Sequence, residues 1–257
     1  MISSAWSYRH LVLSLISRQF RLRYRQSSVG IGWAILPPLA TMGAATLVFG
    51  TVLGVDTGNT NYALFTLAAL IPWQLFASGM TTGVSSVVQA SSMVTKIPFP
   101  LVVLPISTVG LSLVDFSLAA VIFIPFAFLL GDGIPPSAVW FPLLILVELV
   151  FAAGIVLFAS ALNVFARDVR VIVPLLMQLW LLLTPVMYPL REVKGALRSF
   201  YLANPMTGLS VSFRDVLIFN KTPDLELLLP SLIGAVAAFV IGFGYFRATE
   251  RRFADVI

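Results

Sequence analysis

Two carboxylates, Asp115 and Glu148, stand inside long apolar runs. A charge at such a depth costs at least ~2.5–3.5 kcal/mol on insertion scales, so each group must face protein or water. Two chemistries suit a carboxylate held there. It can relay a proton or form a polar channel wall, or it can tie helices together as a protonated or hydrogen-bonded group. Neither has a second titratable partner on its own helix turn, which favours the tie. Other reactive groups are scarce. The single histidine, His10, excludes a multi-histidine metal site, and zero cysteines exclude disulfides and thiolate catalysis. No G-x-x-x-x-G-K-[ST] loop is present to hold ATP, and neither H-E-x-x-H nor G-x-S-x-G occurs. A membrane enzyme for lipid-linked sugars needs an acid–base pair at one depth, and these carboxylates are separated. No catalytic residue, metal site or cofactor of the chain's own is therefore assigned.

Aromatic residues form a second pattern. On a helical wheel Tyr62, Phe65, Trp73 and Phe76 fall within an arc of about 80°, and Phe151, Phe158 and Phe165 recur at heptad spacing. Such a face offers an apolar plate to the C–H faces of sugar rings. The same residues also anchor helix ends and fill helix seams. Gly50–Gly54 and Gly79–Gly83 are G-x-x-x-G patterns that permit close helix approach and are compatible with a dimer.

These residues must be positioned by membrane helices. Of 257 residues, 59% are hydrophobic and 11% charged, too little charge for a soluble domain of this length. The net charge of +5 does not argue for nucleic acid, because the basic residues flank apolar segments, where anionic lipid heads meet them. About 20 apolar residues span a bilayer core. Six stretches qualify: 31–53, 62–85, 101–130, 139–165, 171–190 and 229–247. Pro105 and Pro125 offer the third a place to break. Eleven basic residues fall on the N-terminal side of the membrane against five on the other, which places both termini in the cytosol. No cleavable signal peptide is evident.

Ahead of the first span stand Arg9, Arg18, Arg21, Arg23 and Arg25, with no acid among them. The wheel gathers Arg18, Arg21 and Arg25 with His10, Ser14 and Ser17 on one arc, predicting an amphipathic helix in the interface plane. The last external stretch, 190–228, mixes charge with apolar runs and reads as short helices dipping back toward the bilayer. The expected fold is thus an all-α membrane protein with six transmembrane helices, an N-terminal interface helix and re-entrant short helices. Residues 1–257 form a single domain, divided into 1–30, a bundle over 31–247 and a cytosolic tail, 248–257. Two short cytosolic gaps, ASSMVTKIPFP at 90–100 and NVFARDVR at 163–170, are either tight turns or a docking surface.

Five stretches stand in order along the chain: FRLRYRQSSVGIGWAILPPL at 20–39, LIPWQLFASG at 70–79, VTKIPFPLVVLP at 94–105, LNVFARDVRVIVPLLMQLWLLLTPVMYPL at 162–190 and NPM at 204–206. Together they resemble the permease subunit of polysaccharide and polyol-phosphate ABC exporters, which move O-antigen, capsule or teichoic-acid polymers. The resemblance implies a homodimer of this chain paired with two copies of a separate ATPase that holds ATP and magnesium. It implies an inner or plasma membrane location and a lipid-linked polysaccharide as substrate. Trp33, Tyr62, Phe65, Trp73 and Phe76 become the expected channel wall. Arg21, Arg25, Lys96, Ile97, Pro98, Phe99, Arg167 and Asp168 become the expected ATPase contacts. A permease for a small lipid or drug is the nearest alternative, and a proton-coupled secondary transporter the next.

Overall fold

The structure, a computed structural model, describes residues 8–25, 30–58, 60–91 and 99–256. All elements among them are helical. Helix α1 covers Arg9–Tyr24, and α2 covers Gly32–Ala45 and continues as a π-helical segment, Thr46–Val52. Helices α3 (Tyr62–Gly83) and α4 (Ser86–Gln89) precede α5 (Val103–Leu130). Then come α6 (Phe141–Phe165), entered by a 3₁₀ turn at Pro136–Trp140, and α7 (Val169–Leu182). Two short helices, α8 (Ala196–Ala203) and α9 (Pro205–Leu217), lead to α10 (Leu225–Thr249) and the terminal α11 (Phe253–Val256).

Five of these helical runs are long and apolar enough to cross a membrane: Gly32–Val52, Tyr62–Gly83, Val103–Leu130, Pro136–Phe165 and Leu225–Arg252. They match five of the six expected stretches. The stretch 171–190 differs, because its helix α7 has 14 residues and rises only about 21 Å, against a hydrocarbon core of ~30 Å. Pro185 explains the early stop, since the residue before a proline is driven out of the α region. The chain turns there, with Thr184 N–H donating to Leu181 O. In contrast α5 is unbroken over 28 residues. Pro105 lies in its first turn, where no helical N–H is needed.

Helix α3 is the centre of the bundle. Its apolar window is 78% buried, against 22% for α5 and α10 and 11% for the α2 run. It packs on α2, α5, α6, α7 and α9. Gly79 and Gly83 lie on this seam: a Cβ at Gly83 would stand 2.4 Å from Val156 Cγ1, and one at Gly79 3.1 Å from Ser112 Oγ. That G-x-x-x-G pattern therefore closes packing within the chain. Gly54 serves a turn instead, with φ +61°. The tightest crossing lies elsewhere, between α6 and α10. A Cβ at Gly242 would stand 1.9 Å from Gly154 O, so neither backbone tolerates a side chain there.

Helix α9 is enclosed by α3, α6 and α10, with Met206, Leu209, Phe213 and Val216 fully buried. Asn204 caps it, accepting from Met206 N–H, and Pro205 takes the first helical position. Its N-terminus lies beside Ser231, whose hydroxyl donates to Pro205 O at 2.7 Å, and beside Gly234. Gly234 is nine residues into α10, or about 13 Å along its axis.

Candidate functional site

Helix α1 leans on α5. Leu15 packs against Val103 and Leu104, Gln19 Nε2 donates to Ser107 Oγ at 3.1 Å, and Ile16 fills the space over Gly110. Four residues further on, Arg23 Nη1 meets Asp115 Oδ2 at 2.5 Å, and Tyr24 Oη donates to Asp115 Oδ1 at 2.6 Å. The contacts advance along both helices together, so α1 follows the first half of α5. Leu15 and Tyr24 are buried, while Arg18, Arg21 and Arg25 stay exposed on the arc the wheel defines. Burial, and then the bond to Asp115, push the Tyr24 phenol above its ordinary range. Asp115 is thus the hydrogen-bonded tie between helices, and its partners come from α1.

Beside this tie a cavity of about 390 Å³ opens among α1, α2, α3, α5 and α7. Trp33 and Pro37 line it from α2, Trp73, Gln74 and Ser78 from α3, Ser112, Asp115 and Phe116 from α5, and Gln178 from α7. Indole faces beside amides, hydroxyls and a carboxylate can stack on sugar C–H faces while bonding hydroxyl groups.

Of the five aromatic residues assigned to a channel wall, Trp33 and Trp73 line this cavity; Trp33 is 50% exposed. Phe76 is fully enclosed, stacked on Phe151 at 5.1 Å and edge-on to Trp180 at 5.1 Å. Tyr62 is buried with its hydroxyl donating to Met187 O at 2.5 Å. Phe65 lies under the Arg214 guanidinium, 3.7 Å from ring centre to Cζ. Of the heptad phenylalanines Phe151 is buried, while Phe158 and Phe165 stay exposed, with one ring contact each to Tyr245 and Phe253.

Among the residues assigned to ATPase contact, Arg21, Arg25, Arg167 and Asp168 are exposed. Phe99 packs on the Leu15–Val103–Leu104 cluster, where α1 meets α5. Lys96, Ile97 and Pro98 lie outside the described residues. Asn163 Oδ1 accepts from Arg170 N–H at 3.1 Å and so holds the turn between α6 and α7.

Two structural hubs escape the sequence reading. Arg214 is buried and donates to Phe65 O at 3.0 Å, Pro185 O at 2.5 Å and Val186 O. Asn204 receives Trp180 Nε1–H at 3.0 Å and donates to Leu183 O and Thr184 Oγ1. The Asn-Pro pair signals a helix start, but nothing local marks Arg214 as the clamp on the 185–186 turn. Glu148 is wholly buried, and neither of its oxygens has a hydrogen-bond partner among the described residues. No group of three or more His, Cys, Asp or Glu side chains able to hold a metal occurs among the described residues.

A bundle of long apolar helices, with a polar–aromatic cavity among them and its first helix docked by an ion pair, is the architecture of a multi-pass membrane protein. The ABC-2 type transporter family matches residues 10–218, and the chain belongs to that family. It is 30% identical to the O-antigen export system permease protein RfbA of Myxococcus xanthus, over 100% of this chain and 99% of that one. The RfbA permease of Klebsiella pneumoniae is 27% identical, covering 96% and 95% of the two chains. The polysialic acid transport protein KpsM of Escherichia coli is 23% identical, covering 93% of each.

Proposed function

We propose that this chain is the channel-forming subunit of an ATP-driven exporter that moves a lipid-linked polysaccharide, O-antigen-like or capsule-like, across the inner membrane. The end-to-end similarity to O-antigen export permeases carries this reading. In this proposal two copies of the chain join two copies of a separate ATPase, which holds ATP and magnesium. Both termini are cytosolic, and the whole chain is one membrane domain. Helix α7 and the turn after it complete a sixth crossing, and α8 and α9 re-enter from the outer side. Trp33 and Trp73 contact the polymer directly, with Phe76 packed edge-on against Trp73; Tyr62 and Phe65 hold the start of α3 against Met187 and Arg214.

Coupling runs through α1. Arg21, Arg25, Arg167, Asp168 and the 96–99 turn receive the ATPase's closure. Arg23 and Tyr24 then pass that motion to Asp115, and so to the α5 side of the cavity. Nucleotide shifts the channel equilibrium only by its differential affinity for the two states. A proton-carrying transporter is less well supported, because Asp115 is already bonded to a cation and a phenol.

Deletion of the gene in its native host tests the proposal. Surface polysaccharide is expected to disappear while polymer accumulates inside, with rescue by the intact gene and poor rescue by Trp33→Ala with Trp73→Ala. Unchanged surface polysaccharide together with loss of a small exported lipid would favour the small-substrate alternative.

A further inference from the structure

A second cavity, of about 370 Å³, opens at the end of the bundle where α3 begins and α9 ends. Arg214 of α9 lines it. This residue is 3% exposed, and its three bonds all run to neutral carbonyls, those of Phe65, Pro185 and Val186. Among the described residues no carboxylate lies within ion-pair reach of it. A buried cation with only neutral partners keeps an uncompensated desolvation cost. A guanidinium has five N–H groups, so Arg214 retains donors beyond those bonds. Two exposed cations line the same cavity, Arg191 and Lys221. Arg191 stands on the 3₁₀ turn Leu190–Glu192, where it donates to Asp56 Oδ2 at 2.7 Å and its Nε lies 3.8 Å from Glu192. Asn220, at φ +51°, turns the chain back after α9, and Lys221 N–H donates to Asp215 O at 2.9 Å. Asp215 is the one carboxylate among the described lining residues.

The charge balance selects the ligand. Three cations and one acid line the cavity, so a single negative charge is drawn in, whereas each further one meets Asp215. The two coplanar oxygens of a carboxylate fit a guanidinium fork. Phe65, Pro189, Val211 and Phe219 supply apolar wall beside the cations, which suits the C–H faces of a carbon ring. We infer that this cavity binds a ring-sized organic carboxylate, such as a uronate, with its charged end toward Arg191, Arg214 and Lys221. The inference does not rest on the export reading, because it concerns recognition at one end of the chain and not passage through it.

Saturation-transfer NMR titration of the full-length chain in phosphatidylcholine nanodiscs tests it, with glucuronate, cyclohexanecarboxylate, glucose and inorganic phosphate as probes. Nanodiscs leave both faces open, so the outcome is independent of topology. A carboxylate should bind saturably and glucose should not. Arg191→Gln and Lys221→Gln change exposed positions and should each weaken the carboxylate about threefold, the effect of one partly screened charge. Asp215→Asn should tighten it by about the same factor, a gain that misfolding cannot produce. Arg251→Gln, in the tail, should bind as the wild type does. Glucuronate alone narrows the ligand to sugar acids, cyclohexanecarboxylate alone to non-sugar acids, and both together give ring carboxylates at large. The inference is overturned by failure of both carboxylates, by glucose binding equally well, or by phosphate binding more tightly than either. Unchanged affinity in both Lys221→Gln and Asp215→Asn overturns it too. None of these results touches the Trp33 and Trp73 rescue test, so the two readings fail separately.

Discussion

Separating α1 from α5 is the most direct perturbation of the coupling path. Asp115 accepts one bond from the Arg23 guanidinium and one from the Tyr24 phenol. Bonds to charged groups contribute roughly 1.5–3 kcal/mol each, but desolvation and exposure reduce the net. Arg23 is 38% exposed and Asp115 13%, so screening leaves the pair about 2 kcal/mol in total. Losing it should raise the fraction of detached α1 by about 30-fold. Ser107 reports this, because it is fully buried beneath Gln19 and the chain has no cysteine to compete with a reporter thiol. In a Ser107→Cys background, maleimide labelling from the α1 side should accelerate by that factor with either Arg23→Gln or Asp115→Asn. The double variant should add little beyond either single change, since both remove one interaction. Ser160→Cys, equally buried on α6, should not respond. Unchanged labelling at Ser107, equal acceleration at Ser160, or additive effects in the double variant would refute the tie.

Gly242→Leu should destabilise the protein by about 3 kcal/mol or more, because overpacking here meets backbone rather than a flexible side chain; Gly244→Ala, which meets nothing within 4 Å, should leave the thermal midpoint unchanged. Arg214→Met strands the carbonyls of Phe65, Pro185 and Val186 and should cost about 3 kcal/mol, read as a lower midpoint in detergent that Arg214→Lys restores only in part. Burial raises the Asp215 carboxyl to about 6, so the folded state holds this proton more tightly than the unfolded chain does. Its stabilising contribution is complete below the ordinary carboxylate range and is lost as pH rises through 6; Asp215→Asn should flatten the thermal midpoint between pH 4 and pH 6.5. Glu148→Gln should leave export unchanged, and export abolished with normal insertion would revive a proton-carrying role.

The sequence reading located the long helices well, because an uninterrupted apolar run is a signal in itself. It placed α2, α3, α5, α6 and α10 within a few residues. After Arg170 the apolar composition continues past Leu182 but the helix ends there, since Pro185 intervenes. The short helices of 190–228, the exposed α8 and the enclosed α9, were legible as an anomaly of charge and apolarity. Their anchors, Asn204 and Arg214, were not, since each works through carbonyls distant in sequence. The aromatic stripe of α3 was legible as a stripe, but not the side of the helix wall on which it lies.

Composition and order alone determined that the chain is a membrane protein and set its ABC exporter resemblance, because hydrocarbon admits few backbone solutions and these helices announce themselves by length. Tertiary structure alone decided that Asp115 binds Arg23 and Tyr24, that Gly154 rather than Gly50 sits at a crossing with Gly242, and that Phe76 packs while Trp33 lines the cavity. The physical reason is shared by all three. A helix in hydrocarbon is apolar on the side facing lipid as well as on the side facing protein, so its pattern cannot say which residues meet.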